Sequence, residues 1–219
     1  MKKLSSWLAI ILLGLLTTGC ATNRSEVTLN TTANRSMANV PSNGLKVVFK
    51  EVLDERRFQD GSSDPSVPSL GFEGSAQASS MVKERAVARK RNTFGKALGD
   101  VVLQEGQTVT KLVREVTTQA LADAGYVVVS DGADASGAIS IDVRIRQFWS
   151  WMTPGFWALT FENKIEVALD GGKGKNVIIH AYAQDSGQLG TDGAYISIVG
   201  KGLDDYRNKV TDWAKSAKF

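Results

Sequence analysis

Ile139-Ser-Ile-Asp-Val-Arg-Ile-Arg146, followed beyond Thr153-Pro-Gly155 by Trp157-Ala-Leu-Thr-Phe-Glu-Asn-Lys-Ile-Glu-Val-Ala-Leu169, decides the fold. In both stretches apolar side chains take every second position and polar ones fill the places between. That is the pattern of strands in a sheet with one buried face. The Pro-Gly step between them predicts a hairpin turn. Asn163 is the one polar residue on the apolar side. Trp157 is in phase with Leu159 and Phe161 and is expected in the core. Trp149 and Trp151 continue the phase of Ile139 to Ile145 toward the end of the hairpin.

Upstream, Thr108 can cap a helix in which Val109, Leu112, Val113, Val116, Ala120 and Leu121 recur at helical spacing. Gly125 stands where a left-handed cap belongs, and Tyr126-Val-Val-Val129 follows as a strand. Leu45 to Leu53 predicts an opening strand, with Leu45, Val47 and Phe49 on one face. Downstream, Val177 to Ala183 predicts another strand. Tyr195, Val199, Leu203, Tyr206, Val210 and Trp213 then outline a long amphipathic helix, which Gly200 and Gly202 weaken by about 1 kcal/mol each. The expected class is α+β: a mostly antiparallel sheet of four to five strands with two long helices packed on one face. Residues 44–219 form one domain on this reading, with a long loop and basic insertion over about 55–105.

Ahead of the domain, residues 20–43 are dominated by Ser, Thr, Asn and Ala and read as a flexible tether. Ahead of that, Lys2 and Lys3 precede the apolar run Trp7 to Leu16, which is too short to span a bilayer and reads as a signal peptide over 1–19. Thr17-Thr-Gly-Cys20 closes it, and this ending resembles the lipobox of bacterial lipoproteins, with Thr17 where that motif usually has Leu. The resemblance implies lipidation at Cys20. Ala21 in place of Asp implies sorting to the outer membrane, with the domain facing the periplasm.

The lipobox, Asp54-Glu-Arg-Arg57, Thr108 to Tyr126 and Ile141-Asp-Val-Arg-Ile-Arg-Gln-Phe-Trp149 together resemble the YajG-type group of small Gram-negative lipoproteins. That resemblance implies an envelope lipoprotein and supplies no catalytic residue.

The whole chain carries 26 basic and 23 acidic residues. Removing the two lysines of the signal leaves a nearly neutral protein, which argues against a nucleic-acid partner, since such binding needs many phosphate contacts. Cys20 is the only cysteine and His180 the only histidine, so no cofactor and no metal site are expected. Gly171-Gly-Lys-Gly-Lys175 lacks the phosphate-loop pattern and reads as a hairpin turn. Enzymatic constellations are missing, and the chain is expected not to be an enzyme.

Two segments stand out as contact candidates. Phe148 to Trp157 gathers three tryptophans around a turn and suits a protein partner or a membrane interface, with Trp149, Trp151 and neighbouring Met152 as the contact residues. Lys83 to Lys96 is strongly basic, and Arg89, Lys90 and Arg91 are its candidates for anionic envelope lipid. The functional expectation is a membrane-tethered binding or assembly accessory module for an envelope protein or lipid. The alternatives are an envelope-polymer hydrolase and a structural subunit of a transport, secretion or motility complex.

Overall fold

A computed structural model describes residues 24–31, 40–71, 74–92, 96–132, 135–172 and 174–217. Cys20 and the signal segment lie outside them. The elements in chain order are β1 (Ser25–Val27), β2 (Lys46–Asp54), α1 (Ser80–Arg85), β3 (Ala86–Arg91), β4 (Ala97–Leu103), α2 (Val109–Asp123) and β5 (Val127–Val129). They continue with β6 (Ile139–Pro154), β7 (Leu159–Asp170), β8 (Asn176–Gly187) and α3 (Asp192–Ala217).

The class is α+β, as expected, but among the described residues the sheet holds eight strands rather than four to five and is not closed. It is also mixed: four of its seven pairings are parallel, and three are antiparallel. The antiparallel β6–β7–β8 meander is the part that alternation announced.

The added strands come from segments read as tether and insertion. Residues 24–31 are part of the fold: β1 pairs with β4, and Val27 and Leu29 are buried. The basic segment is not a loop insertion but part of the sheet. Only Ser80–Arg85 is helical, and the chain then turns into the β3–β4 hairpin. These strands escape a period-two reading because both of their faces are covered. In β4, Val101 and Leu103 face the helices while Val102 faces the 55–80 loop, which gives an unbroken apolar run.

β6 organises the sheet because it is long enough to serve two partners on one edge. Its first half pairs with β2, from Val47↔Ile139 to Asp54↔Ile145, and its second half meets β3 at Ala88↔Ser150. Arg56 fills the gap between these partners. Its buried guanidinium forks onto Asp54 at 2.7 and 2.8 Å and donates to the carbonyls of Lys83 (2.6 Å), Ala86 (2.6 Å) and Phe148 (3.2 Å). One side chain thus satisfies the backbone where a ladder is interrupted.

A bulge in β6 lies between Ile145 and Gln147. One extra residue reverses the phase of everything after it. Ile141, Val143 and Ile145 face the helices. Beyond the bulge Phe148 and Met152 do so, and Trp149 and Trp151 turn to the opposite face.

The helix side forms the main core. Ile165, Val167 and Leu169 of β7 and Ile179 and Ala181 of β8 join it, under Leu112, Val113 and Val116 of α2 and Ile198, Leu203 and Tyr206 of α3. Each such aliphatic side chain contributes roughly 1.5–3 kcal/mol by leaving water. α2 has the expected caps: Thr108 Oγ1 accepts from the Lys111 amide at 3.2 Å, and Gly125 has φ +91°. The Tyr126 amide reaches back to the Leu121 carbonyl at 3.0 Å, closing the helix end.

Gly202 of α3 and Asn163 of β7 explain one another. Asn163 is fully buried, donating to Ser150 Oγ at 2.8 Å, and a Cβ on Gly202 would stand 1.8 Å from its Oδ1. Glycine lets the helix backbone rest on the amide. Gly200 has open space at the same place. Alanine at position 200 should therefore stabilise the protein by up to about 1 kcal/mol through helix propensity. At position 202 it should cost about 1–3 kcal/mol through overpacking. Urea unfolding midpoints of the two single variants should move in opposite directions.

The outer edge of β8 is partly guarded. Asp205 of α3 accepts from the Tyr182 amide at 3.0 Å, and Lys209 donates to the His180 carbonyl at 2.8 Å. The two side chains also pair with each other at 2.8 Å, so an i,i+4 ion pair occupies the groups that a further strand would use.

Candidate functional site

Of the contact candidates read from the sequence, the tryptophans and Met152 lie inside. Trp149 is 1 % exposed and Trp151 8 %. They pack with Leu70, Ala86 and Val102 beneath the 55–80 loop. Trp149 Nε1 donates to the Pro65 carbonyl at 3.3 Å, and its ring meets Phe58 edge-on at 6.0 Å. Met152 is buried on the helix side. The expectation that Trp157 is core and Trp151 is surface is thereby reversed: beyond the β6 bulge Trp151 faces the side covered by the 55–80 loop, and Trp157 falls in the turn. Trp157 itself lies before β7 begins, in the turn, and is 84 % exposed.

Arg89, Lys90 and Arg91 fare similarly. Arg89 donates to the Gly71 carbonyl. Lys90 bonds Ser25 Oγ and pairs with Asp192 at 2.7 Å, and Arg91 reaches Ser69 Oγ at 3.3 Å. Burial pulls the Arg91 guanidinium below its ordinary pKa. These three are seams joining β3 to the loop, the N-terminal strand and α3. They do not form a solvated face open to anions, so a triple Gln variant loses ties and not merely charge.

Two other surfaces are open. The first is the face of β7 and β8 turned away from the helices. Ile178, His180 and Tyr182 are exposed there, beside Glu162, Lys164, Glu166 and Ala168 of β7. His180 Nδ1 lies 3.3 Å from Glu166, as a locally bonded strand residue. The Tyr182 hydroxyl donates to Glu162 at 2.7 Å, and that bond together with desolvation pushes its pKa up to about 12. Toward the far end the surface dips into a hollow of about 360 Å³ lined by Asp142, Arg144, Ala168, Asp170 and Ile178. Asp142 and Asp170 are direct cross-strand partners there. Arg144 stands one place along the same face, where its bond to Glu55 at 2.7 Å and the nearby Asp142 raise its pKa. Among the described residues no group of three or more metal-ligating side chains converges.

The second surface is the end of the molecule at the β6–β7 turn. Phe156 is 89 % exposed, and its ring stacks edge-on against Trp157 at 4.7 Å. Leu189, in the β8–α3 loop, is exposed at the same end. The sequence points to this turn, but the exposed aromatics are Phe156 and Trp157 and not Trp149 and Trp151. The better signal was Pro154-Gly155, which places Phe156 and Trp157 in the turn itself.

No helix among the described residues is long and apolar enough to cross a membrane. No family model and no curated protein matches the chain. Among the similar solved structures are two that are each 10 % identical to this chain. One, titled only as an uncharacterized protein, has a TM-score of 0.44 over 88 % of this chain and 97 % of its own. The other, a Xanthomonas campestris protein of the family DUF330, has a TM-score of 0.46 over 89 % and 91 %.

Proposed function

We propose that this chain is an outer-membrane lipoprotein of YajG type, anchored through Cys20 and facing the periplasm. Its domain serves as a non-enzymatic binding or assembly accessory module for an envelope partner. The observation that carries the binding reading is the uncovered face of β7 and β8. The helices cover one side of these strands, while the other presents Ile178, Tyr182 and Ala168 among charged residues, with no element of the described residues laid over them. Aromatic and aliphatic anchors within a polar rim are what protein interfaces use.

Photo-crosslinking residues at positions 178 and 182, in intact envelopes, should capture one partner identified by mass spectrometry. A crosslinker at buried position 179 is the control. Capture no greater than at 179 would refute the reading. Cys20→Ser should abolish labelling by a palmitate analogue and release the domain from the membrane fraction, and label persisting on that variant would refute the anchor.

One observation favours the hydrolase as a second reading, namely the facing carboxylates of Asp142 and Asp170. A hydrolase reading requires that Asp142→Asn abolish release of soluble fragments from purified envelope polymers. The module reading expects no such release from the parent protein.

A further inference from the structure

The strand registers place the two ends of the sheet, and they bring together features that are far apart in sequence. Ser25 is level with Val101, Val101 with Ala88, and Ala88 with Ser150. β1 runs antiparallel to β6, so the chain preceding Ser25 enters from the side where β6 ends at Pro154. The Arg24–Asp100 pair, at 3.1 Å, sits one step further that way. The same end carries the β6–β7 turn with Phe156 and Trp157, the β8–α3 loop with Leu189, and exposed Lys96 at the β3–β4 turn. Cys20 is four residues before Arg24, a covalent span of at most about 14 Å.

We infer that the Phe156–Trp157 turn, with Leu189 beside it, is a foot that inserts into the lipid surface holding the N-terminal anchor, so that β6 to β8 stand upright on the membrane. The inference rests on the proposed lipidation of Cys20, which sets a bilayer next to this end. Indole rings partition to the water–lipid boundary, and phenyl and leucine side chains bury just beneath the headgroups. This turn exposes one phenyl and one indole ring, at 89 % and 84 %, where polar residues normally sit. Tethering raises the local lipid concentration seen by the foot, so contacts too weak to bind a vesicle alone suffice to fix orientation. Lys96 adds attraction to anionic headgroups. In this posture the open β7–β8 face points sideways into the periplasm, accessible to a partner.

Tryptophan fluorescence tests this because the rings are differently placed. Trp149 and Trp151 are shielded beneath the loop, and Trp213 lies about 30 Å along α3 from its start at the foot end. The mature acylated protein, purified from membranes, is reconstituted into phosphatidylethanolamine–phosphatidylglycerol vesicles with brominated acyl chains. Palmitate-analogue label is scored on the same sample. The expected result is label on the protein, quenching of its emission, loss of that quenching in Trp157→Phe, and weaker quenching in Phe156→Ser. Unfolding midpoints should be unchanged in both variants. Label with no Trp157-dependent quenching overturns the foot and leaves the anchor standing. Absence of label overturns the anchor, and the docking with it. Capture of a protein at position 157 in intact envelopes, without bromolipid quenching, would reassign the turn to a protein pocket.

Discussion

Arg56→Ala should lower the unfolding free energy by about 3–5 kcal/mol, the cost of removing one partner from a buried ion pair. The guanidinium is fully buried, and losing it removes the shared donor of the Asp54 carboxylate and of the Lys83, Ala86 and Phe148 carbonyls. The damage is local in a telling way: these carbonyls belong to the end of α1, the start of β3 and the stretch of β6 between its two edge partners. Arg56→Lys should recover little, because an ammonium cannot fork onto Asp54 and reach all three carbonyls from one plane. Chemical denaturation of both variants checks this. A loss under about 1 kcal/mol for alanine would mean that water replaces the guanidinium.

The second large effect separates the tryptophans. Trp149→Ala should cost about 3–5 kcal/mol, the usual loss for a fully buried large aromatic, and should loosen the 55–80 loop by removing the surface on which Phe58 and Leu70 rest. Trp157→Ala should change stability by no more than about 0.5 kcal/mol, as exposed substitutions do. Urea midpoints decide between this ordering and its reverse, and faster proteolysis within 55–80 in Trp149→Ala but not in Trp157→Ala would locate the damage.

Parity alone puts Trp157 in the core with Leu159 and Phe161, and nearness to the turn suggests Trp151 as surface; the reasons both fail show what was legible. Alternation from Ile139 to Ile145 and from Leu159 to Leu169 reports the sheet face correctly, because one side of those segments is open. Thr108, Gly125 and the apolar rows of α2 and α3 report the helices, because their caps and stripes are local. The bulge before Gln147 leaves no mark in residue type, since its cause is a change of edge partner supplied by β2 and β3 from elsewhere in the chain. Ala86-Val-Ala88 and Val101-Val-Leu103 carry no period because both sides are packed. Arg89 to Arg91 look like a free basic run until Gly71, Ser69, Ser25 and Asp192 are brought to them. The exposed aromatic pair was within reach, as it follows Pro154-Gly155 directly.

The double partnership of β6 also bears on how the chain reaches this state. β2 is made early, yet both its neighbours come late: Val47 pairs with Val128 and with Ile139, some eighty and ninety residues downstream. β1 waits for β4 across a similar span. The β6–β7–β8 meander, by contrast, closes through short turns and can form as a unit. Loop closure must therefore be met before the N-terminal third gains anything, and refolding should be slow for a domain of this size. A newly made chain holds Val47 and Val48 unpaired until β5 exists and Phe49 until β6 follows, and is vulnerable in that interval to sticking to other chains. The meander is the scaffold, and the first strands written in the sequence are among the last to find their places.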